Sequence, residues 1–305
     1  MSEIEQLKDA FARGQITKAD FIREMHGVHQ RLFDYAKILK DTDISEIEIV
    51  DDSVIMTTRE LGIKIFCDQY DERIIPLEII NFGEFEGDEL RAMRKLLKNE
   101  WTIFDIGANI GWYSLNFAKN FADSKIVAFE PVPSTYKYLV SNLALNDVKN
   151  VEVHNIGLSN EEGTKEMYVY REGMGNASLS DLSEREGVEK ILAEFDTLDA
   201  FVSKHNAKPD FIKCDVEGAE LFVFQGAIET LTRDKPLVFT EILRKWSAKF
   251  NYHPNDVIDL FKSLGYLCYT IEKDGPKRFG QVDEQTLATN YLFAHADRIS
   301  EYGLN

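Results

Sequence analysis

Phe104-Asp105-Ile106-Gly107-Ala108-Asn109-Ile110-Gly111-Trp112-Tyr113-Ser114 is the stretch that decides the fold. An apolar run, Thr102–Ile106, ends in a carboxylate and a tight glycine turn, and a helical pattern begins at Trp112. Gly107 lets the backbone turn and approach a ligand closely, and Gly111 lets the helix start beside it. At nucleotide-phosphate sites the first turn of such a helix receives the pyrophosphate. Here Asp105 opposes a phosphate, and Asn109 stands where a dinucleotide fingerprint has its middle glycine. The carboxylate suits an ammonium group instead, directly or through water. Taken alone, the stretch is equally compatible with an ordinary strand-to-helix turn.

Toward the C-terminus the chain repeats the unit. Strand-like runs fall at 125–129, 151–156, 211–214, 237–240, 266–271 and 290–294, and helical patterns at 112–119, 134–145, 198–205, 219–225 and 255–264. Apolar strands alternating with helices predict a largely parallel sheet covered on both faces. In such sheets ligands bind beyond the carboxyl ends of the strands. Two acidic groups stand at those ends. Glu130 closes Val127-Ala128-Phe129-Glu130-Pro131 about 20 residues after the glycine turn, where a carboxylate can accept both hydroxyls of a ribose. Asp215 and Glu217 follow the strand Phe211–Cys214, and Gly218 permits a sharp entry into the next helix. The last two strand runs are joined by the polar, loop-like residues 272–288 without a crossover helix, so they must pair antiparallel.

Toward the N-terminus the period changes. Residues 1–40 read as two helices, the second capped by Thr17 and carrying Phe21, Ile22, Met25, Val28, Leu32, Phe33 and Leu39 at helical spacing. That stripe packs on the main domain, on a second copy of the chain, or as a lid on the substrate. Residues 46–81 hold short β-type runs divided by Asp51-Asp52-Ser53 and Glu60-Leu61-Gly62, the pattern of a small antiparallel meander. A helix is expected at 87–98. The expected division is residues 1–82 as an N-terminal helical segment and meander, and 83–305 as the ligand-binding domain.

Charge narrows the partners. Thirty-five Lys and Arg face 53 Asp and Glu, a formal net charge of −18. Binding to nucleic acid or to an anionic membrane surface requires a basic footprint, and no Lys/Arg-rich stripe is present. No run approaches the roughly 18 apolar residues of a spanning helix. The start, Met1-Ser2-Glu3-Ile4-Glu5, lacks an apolar signal core, and three cysteines without a CxxC pair suit reduced thiols. A cytoplasmic protein with a small-molecule or carbohydrate partner is the expectation.

Taken together the segments resemble the FkbM family of S-adenosylmethionine-dependent methyltransferases. Asp105-Ile106-Gly107-Ala108-Asn109-Ile110-Gly111 resembles its first motif, Phe129-Glu130-Pro131-Val132-Pro133 its second, and Lys213-Cys214-Asp215-Val216-Glu217-Gly218-Ala219-Glu220 its fourth-strand motif. Asn142-Leu143-Ala144-Leu145-Asn146, Gly157-Leu158-Ser159, Gly163, Gly226-Ala227, Pro236 and Glu241 fall in the family's order, so the resemblance spans about residues 83–296. Cys214 departs from the aliphatic residue often found there. The resemblance implies an α/β class I methyltransferase (Rossmann-like) fold: a mostly parallel seven-stranded sheet whose final strand is antiparallel, here preceded by N-terminal helices and the meander.

It also implies residue roles. Asp105, Gly107, Asn109 and Gly111 would surround the methionine part of S-adenosyl-L-methionine, and Glu130 would hold its ribose. Asn155 and Ile156 would lie near the adenine, with Asp215 and Glu217 at the site of methyl transfer. Asp215, Glu217 and Glu241 are the candidate catalytic carboxylates, ahead of His154 and His253, which suit a strand flank and a turn. No spacing demands a metal. The segment 171–195, with Gly173-Met174-Gly175-Asn176-Ala177-Ser178-Leu179, is expected to face the acceptor, and Trp246 to form a second wall. The expected activity is O-methylation of a sugar, polysaccharide precursor or secondary metabolite. An NAD-dependent oxidoreductase and a non-catalytic nucleoside-binding scaffold stay open beside it, and the N-terminal helices could join two copies of the chain.

Overall fold

The computed structural model describes residues 1–170, 177–181, 188–272 and 275–304. It begins with a helical hairpin, α1 (Glu3–Ala12) and α2 (Lys18–Ile38). Ser2 and Glu5 form a reciprocal capping box on α1, and the Thr17 hydroxyl accepts from the Asp20 N–H at the start of α2. Phe11 and Phe21 stack across the hairpin at 4.6 Å. Neither helix buries a residue, and Ile22, Leu32 and Phe33 are 58–60% exposed. The apolar stripe of α2 is therefore not covered by the main domain, one of the packings its periodicity allows.

A 3₁₀ turn leads to the meander β1 (Ile44–Val50), β2 (Ser53–Thr58) and β3 (Lys64–Cys67), all antiparallel. Then come α3 (Ile75–Phe82) and α4 (Gly87–Leu96). The meander is not a free-standing unit. Ile44, Met56, Ile63 and Ile65 join Ile103, Leu115, Phe117 and Ile126 in one buried cluster. The alternating unit follows: β4 (Thr102–Ile106), α5 (Trp112–Asn120), β5 (Lys125–Phe129), α6 (Pro133–Leu145) and β6 (Val151–His154). On α6, Asn142 and Asn146 act as a substitute strand for the edge of β3. Asn142 Oδ1 accepts from the Phe66 N–H at 2.9 Å, and Asn146 bonds both the N–H and the C=O of Lys64.

A small side sheet is built from β7 (Gly157–Leu158), β8 (Gly163–Tyr170) and β9 (Val188–Asp196), with β9 in the centre. The chain then returns through α7 (Leu198–His205), β10 (Phe211–Cys214), α8 (Glu220–Gln225), α9 (Ile228–Asp234), β11 (Leu237–Glu241), α10 (Arg244–Ser247) and α11 (Pro254–Ser263). It closes with β12 (Tyr266–Glu272), β13 (Gly275–Phe279), β14 (Asn290–His295) and α12 (Ile299–Tyr302).

The central sheet runs β13-β12-β14-β11-β10-β4-β5-β6. Strands β6, β5, β4, β10 and β11 are mutually parallel, and β14 is antiparallel to both β11 and β12, as the missing crossover helix predicts. All seven expected strands are present. The sheet nevertheless has eight strands rather than seven, because residues read as loop form the edge strand β13, in a hairpin with β12. Along β4, Ile103 faces one core and Phe104 the other, so the sheet is covered on both sides. From β4 the chain winds outward to β5 and β6, and later to the opposite side through β10 and β11. The connections therefore diverge at the carboxyl ends of β4 and β10, which leaves a crevice there. Among the described residues no helix is long and apolar enough to cross a membrane.

Candidate active site

The crevice is floored by the turn after β4. Gly107 sits at φ 75°, and a Cβ there would lie 1.8 Å from the Asp215 carbonyl, so the two strand-end loops touch backbone to backbone. The Gly107 and Ala108 N–H groups both donate to the Phe129 carbonyl, which ties the turn to β5 as well. Gly111 caps α5 at φ 95° and packs on Leu139 of α6; it shapes the turn and lines neither of the two cavities described below.

Asp105 is fully buried and is placed differently from the expectation. Its Oδ2 accepts from Ser114 Oγ at 2.6 Å, and its Oδ1 faces Lys213 Nζ at 3.5 Å. It lines neither cavity described below and lies beneath the turn. Lys213 is the hub. Its ammonium donates to the Gly107 carbonyl at 3.0 Å, lies 3.7 Å from Asp215 Oδ2 and rests over the Tyr113 ring. Burial works against a charge on Lys213, but Asp105, Asp215 and Glu86 outweigh it and hold the ammonium protonated.

On one side of this floor is a slot for a flat, polar-edged ligand. Glu130, at the end of β5, is 6% exposed, and each of its oxygens accepts a backbone N–H: Asn109 at 3.0 Å and Val132 at 2.9 Å. Burial still pushes its carboxyl up to about 7. The slot's apolar walls are Phe129, Leu158, Met167, Leu179, Phe195 and Val216. A Cβ on Gly157 would strike the Phe195 ring at 2.2 Å, so glycine is what lets β9 bring that ring in. Asn155 and Ile156 do not line the slot. The Asn155 side chain donates to the Glu130 and Pro131 carbonyls, Ile156 packs in the adjoining core, and Gly157 and Leu158 take the wall.

On the other side is a bowl of 320 Å³. It shares Gly107, Asn109, Asp215 and Glu217 with the slot, so the two form one crevice. Glu217 holds φ 53° in the loop after β10. That loop is fixed by Glu220, whose Oε1 accepts from the Val216 and Gly218 N–H groups and whose Oε2 accepts from the Tyr252 hydroxyl. Glu241 ends β11 and faces the bowl, as do Trp246 and Glu86. Gly218 at φ 98° packs under Trp246, which sets that ring as a wall. Burial, and then the neighbouring carboxylates, raise Glu241 to about 8; burial also raises Glu217, with Asp215 and Glu241 adding to the shift. Glu86, from the turn before α4, is raised to about 7 and faces the Tyr113 hydroxyl.

Of the residues singled out in the sequence, Gly107, Asn109, Glu130, Asp215, Glu217 and Glu241 are brought together around this crevice. Sequence reasoning missed Glu86 and the pairing role of Lys213, for which a lysine inside the apolar run Phe211-Ile212-Lys213-Cys214 was the signal. The segment 171–195 also departs from expectation. Residues 171–176 and 182–187 lie outside the described residues, Val188–Phe195 is strand β9, and Ala177 and Leu179 line the slot and not the bowl. Both histidines lie away from the bowl: His154 pairs with Glu152, and His253 caps α11. Among the described residues no group of three or more His, Cys, Asp or Glu side chains is arranged to hold a metal ion.

The profile of the Methyltransferase FkbM domain matches residues 105–268, from the carboxylate of the glycine turn to β12. Two fungal proteins are similar over part of the chain. Methyltransferase sdnD of Sordaria araneosa is 33% identical over 156 residues, covering 42% of this chain and 60% of that protein. Methyltransferase 1 of Beauveria bassiana is 28% identical over 142 residues, covering 41% and 57%. The chain thus spans about three-fifths of the length of these relatives. The crystal structure of Methyltransferase FkbM from Methylobacillus flagellatus aligns over 66% of this chain and 45% of its own, with 17% identity and a TM-score of 0.43. With its profile covering more than half of the residues, the chain belongs to the FkbM methyltransferase family.

Proposed function

We propose that the protein is an S-adenosyl-L-methionine-dependent O-methyltransferase acting on a hydroxyl of a sugar, polysaccharide precursor or secondary metabolite. The observation that carries this reading is one continuous crevice with two unlike halves. One half pairs an oriented carboxylate, Glu130, with apolar walls, and the other is ringed by carboxylates of raised pKa.

The residues fit the cofactor. Glu130 is oriented by two backbone N–H groups and keeps lone pairs for a pair of vicinal hydroxyls. Asn109 Oδ1 is buried without a hydrogen-bond partner beside it and can accept from an ammonium. When bound, S-adenosylmethionine supplies an electrophilic methyl group. An acceptor hydroxyl taking that methyl in exchange for the C–S bond would have to give up its proton, so the chain must supply a group to receive it.

The chain's own residues do the rest. The turn and the loop after β10 position the reacting groups at their shared edge, and alignment with exclusion of water supplies much of the rate. Glu241 serves as proton acceptor: it lines only the acceptor side, and a carboxyl near 8 is a stronger base than an ordinary glutamate. Asp215 is partly neutralised by Lys213, which suits it to binding more than to proton removal. The acidic crevice opposes pyrophosphate, which counts against a dinucleotide cofactor and a nucleic-acid acceptor.

Calorimetry tests the reading. S-adenosylhomocysteine is expected to bind and NAD not to bind. Glu130→Ala should weaken S-adenosylhomocysteine binding by about 30-fold or more, roughly 2 kcal/mol for lost charge-assisted hydrogen bonds, with an unchanged circular dichroism spectrum. NAD binding without S-adenosylhomocysteine binding overturns it.

A further inference from the structure

The bowl holds more carboxyl groups than cations. Glu86, Asp215, Glu217 and Glu241 line it, against Arg73 and Lys213, beside Asp71, whose carboxylate is engaged and accepts from the Arg73 N–H. Lys213 is already engaged by Asp105, the Gly107 carbonyl and Asp215 in the floor. Arg73 is the cation that favours ionisation of Glu217. Glu86 Oε2 is buried and has no hydrogen-bond partner. Carboxylates crowded in a low-dielectric bowl repel, and each missing counter-charge costs more than at the surface. The cofactor corrects the imbalance only in part, since its own carboxylate offsets one of its two cationic groups.

We infer that the acceptor presents a cationic group, an ammonium, beside the hydroxyl that is methylated; an amino alcohol or amino sugar has this chemistry. The inference rests on the methyltransferase reading and deepens it. The ammonium sits toward Glu86 and Glu217, on the acceptor side of the crevice, and leaves Glu241 for the hydroxyl proton. An anionic molecule, one that brings a carboxylate or phosphate into the bowl, adds to the repulsion and is rejected. Because Glu86 is raised to about 7 and Glu241 to about 8, both hold protons around neutrality, and entry of a cation drives them to ionise and releases protons.

Full-length protein saturated with S-adenosylhomocysteine is titrated with choline, with its uncharged isostere dimethylbutanol, and with dimethylbutyrate. Choline should bind about tenfold or more tighter than dimethylbutanol, and dimethylbutyrate should not bind. The heat of choline binding at pH 7.5 should change with the ionisation enthalpy of the buffer, reporting proton release. Glu86→Gln should bring choline and dimethylbutanol to within about twofold of each other, and Glu217→Gln repeats the test should the first variant not fold. Dimethylbutanol or dimethylbutyrate binding as tightly as choline overturns the inference, as does absence of choline binding or choline binding indifferent to both variants. Failure of S-adenosylhomocysteine itself to bind in the first titration overturns the methyltransferase reading instead.

Discussion

At Lys213 three demands meet: a buried carboxylate below, a glycine carbonyl beside it and a second carboxylate at the mouth of the crevice. Replacing it by methionine keeps the volume but strands Asp105 in the core. Breaking one side of a buried pair costs about 3–5 kcal/mol. Lys213→Met is therefore expected to lower stability by about that amount in urea denaturation. A loss below about 1 kcal/mol, the most an exposed pair usually contributes, would contradict the pairing. Much of this centre was legible from residues alone. A strand-end carboxylate, two glycines and a second strand-end glutamate identify the crevice, because their spacing is dictated by backbone geometry. What a carboxylate faces is not dictated in that way. Asp105 reads as a ligand contact until the lysine 108 positions later is seen beside it. Glu86 lies in no motif, at a left-handed position before α4, and only the tertiary fold brings it to Glu241.

Strands and helices were more readable than loops, for a physical reason. The central strands are apolar because both of their faces are buried, and α5, α6, α7 and α11 carry their helical period against the sheet. The side sheet escaped notice in part. Glu189, Lys190, Leu192 and Glu194 of β9 are exposed and three of them are charged, so it reads as polar loop, while Ala193 and Phe195 are buried. The two-residue shift from Asn155 to Gly157 has a similar origin: β6 ends at His154, and the chain bends through Asn155 before it enters the slot. The side sheet matters functionally because Met167 of β8 and Phe195 of β9 supply part of the slot's wall. Phe195→Ala is expected to weaken S-adenosylhomocysteine binding about tenfold, the loss of roughly 1.4 kcal/mol of apolar contact, with the fold retained by circular dichroism. Unchanged affinity would mean that this wall does not touch the ligand.

Across the whole molecule the buried glutamates give an unusual dependence of stability on pH. Burial raises Glu86, Glu130 and Glu220 to about 7 and Glu241 to about 8, and it raises Glu217 as well, from an ordinary value of 4.5. Between these values the folded chain holds more protons than the unfolded chain, so stability falls as pH rises. The exposed carboxylates paired with Arg or Lys, such as Glu60 and Glu152, have lowered pKa values and act in the opposite direction. Their window lies below pH 4.5. The midpoint of urea unfolding is accordingly expected to be higher at pH 5.5 than at pH 8, and a flat or rising profile would show that the crevice carboxylates are not desolvated.

The eighth strand has a consequence of another kind. An open sheet has rims, and a bare rim offers unpaired N–H and C=O groups to any passing strand. Here β13 forms one rim, and its sequence is Gly275-Pro276-Lys277-Arg278-Phe279. Pro276 has no N–H to donate, and Lys277 and Arg278 set two like charges where an identical strand would approach. An extension that adds nothing to the crevice thus guards the protein against fibre growth and precipitation in a crowded solution.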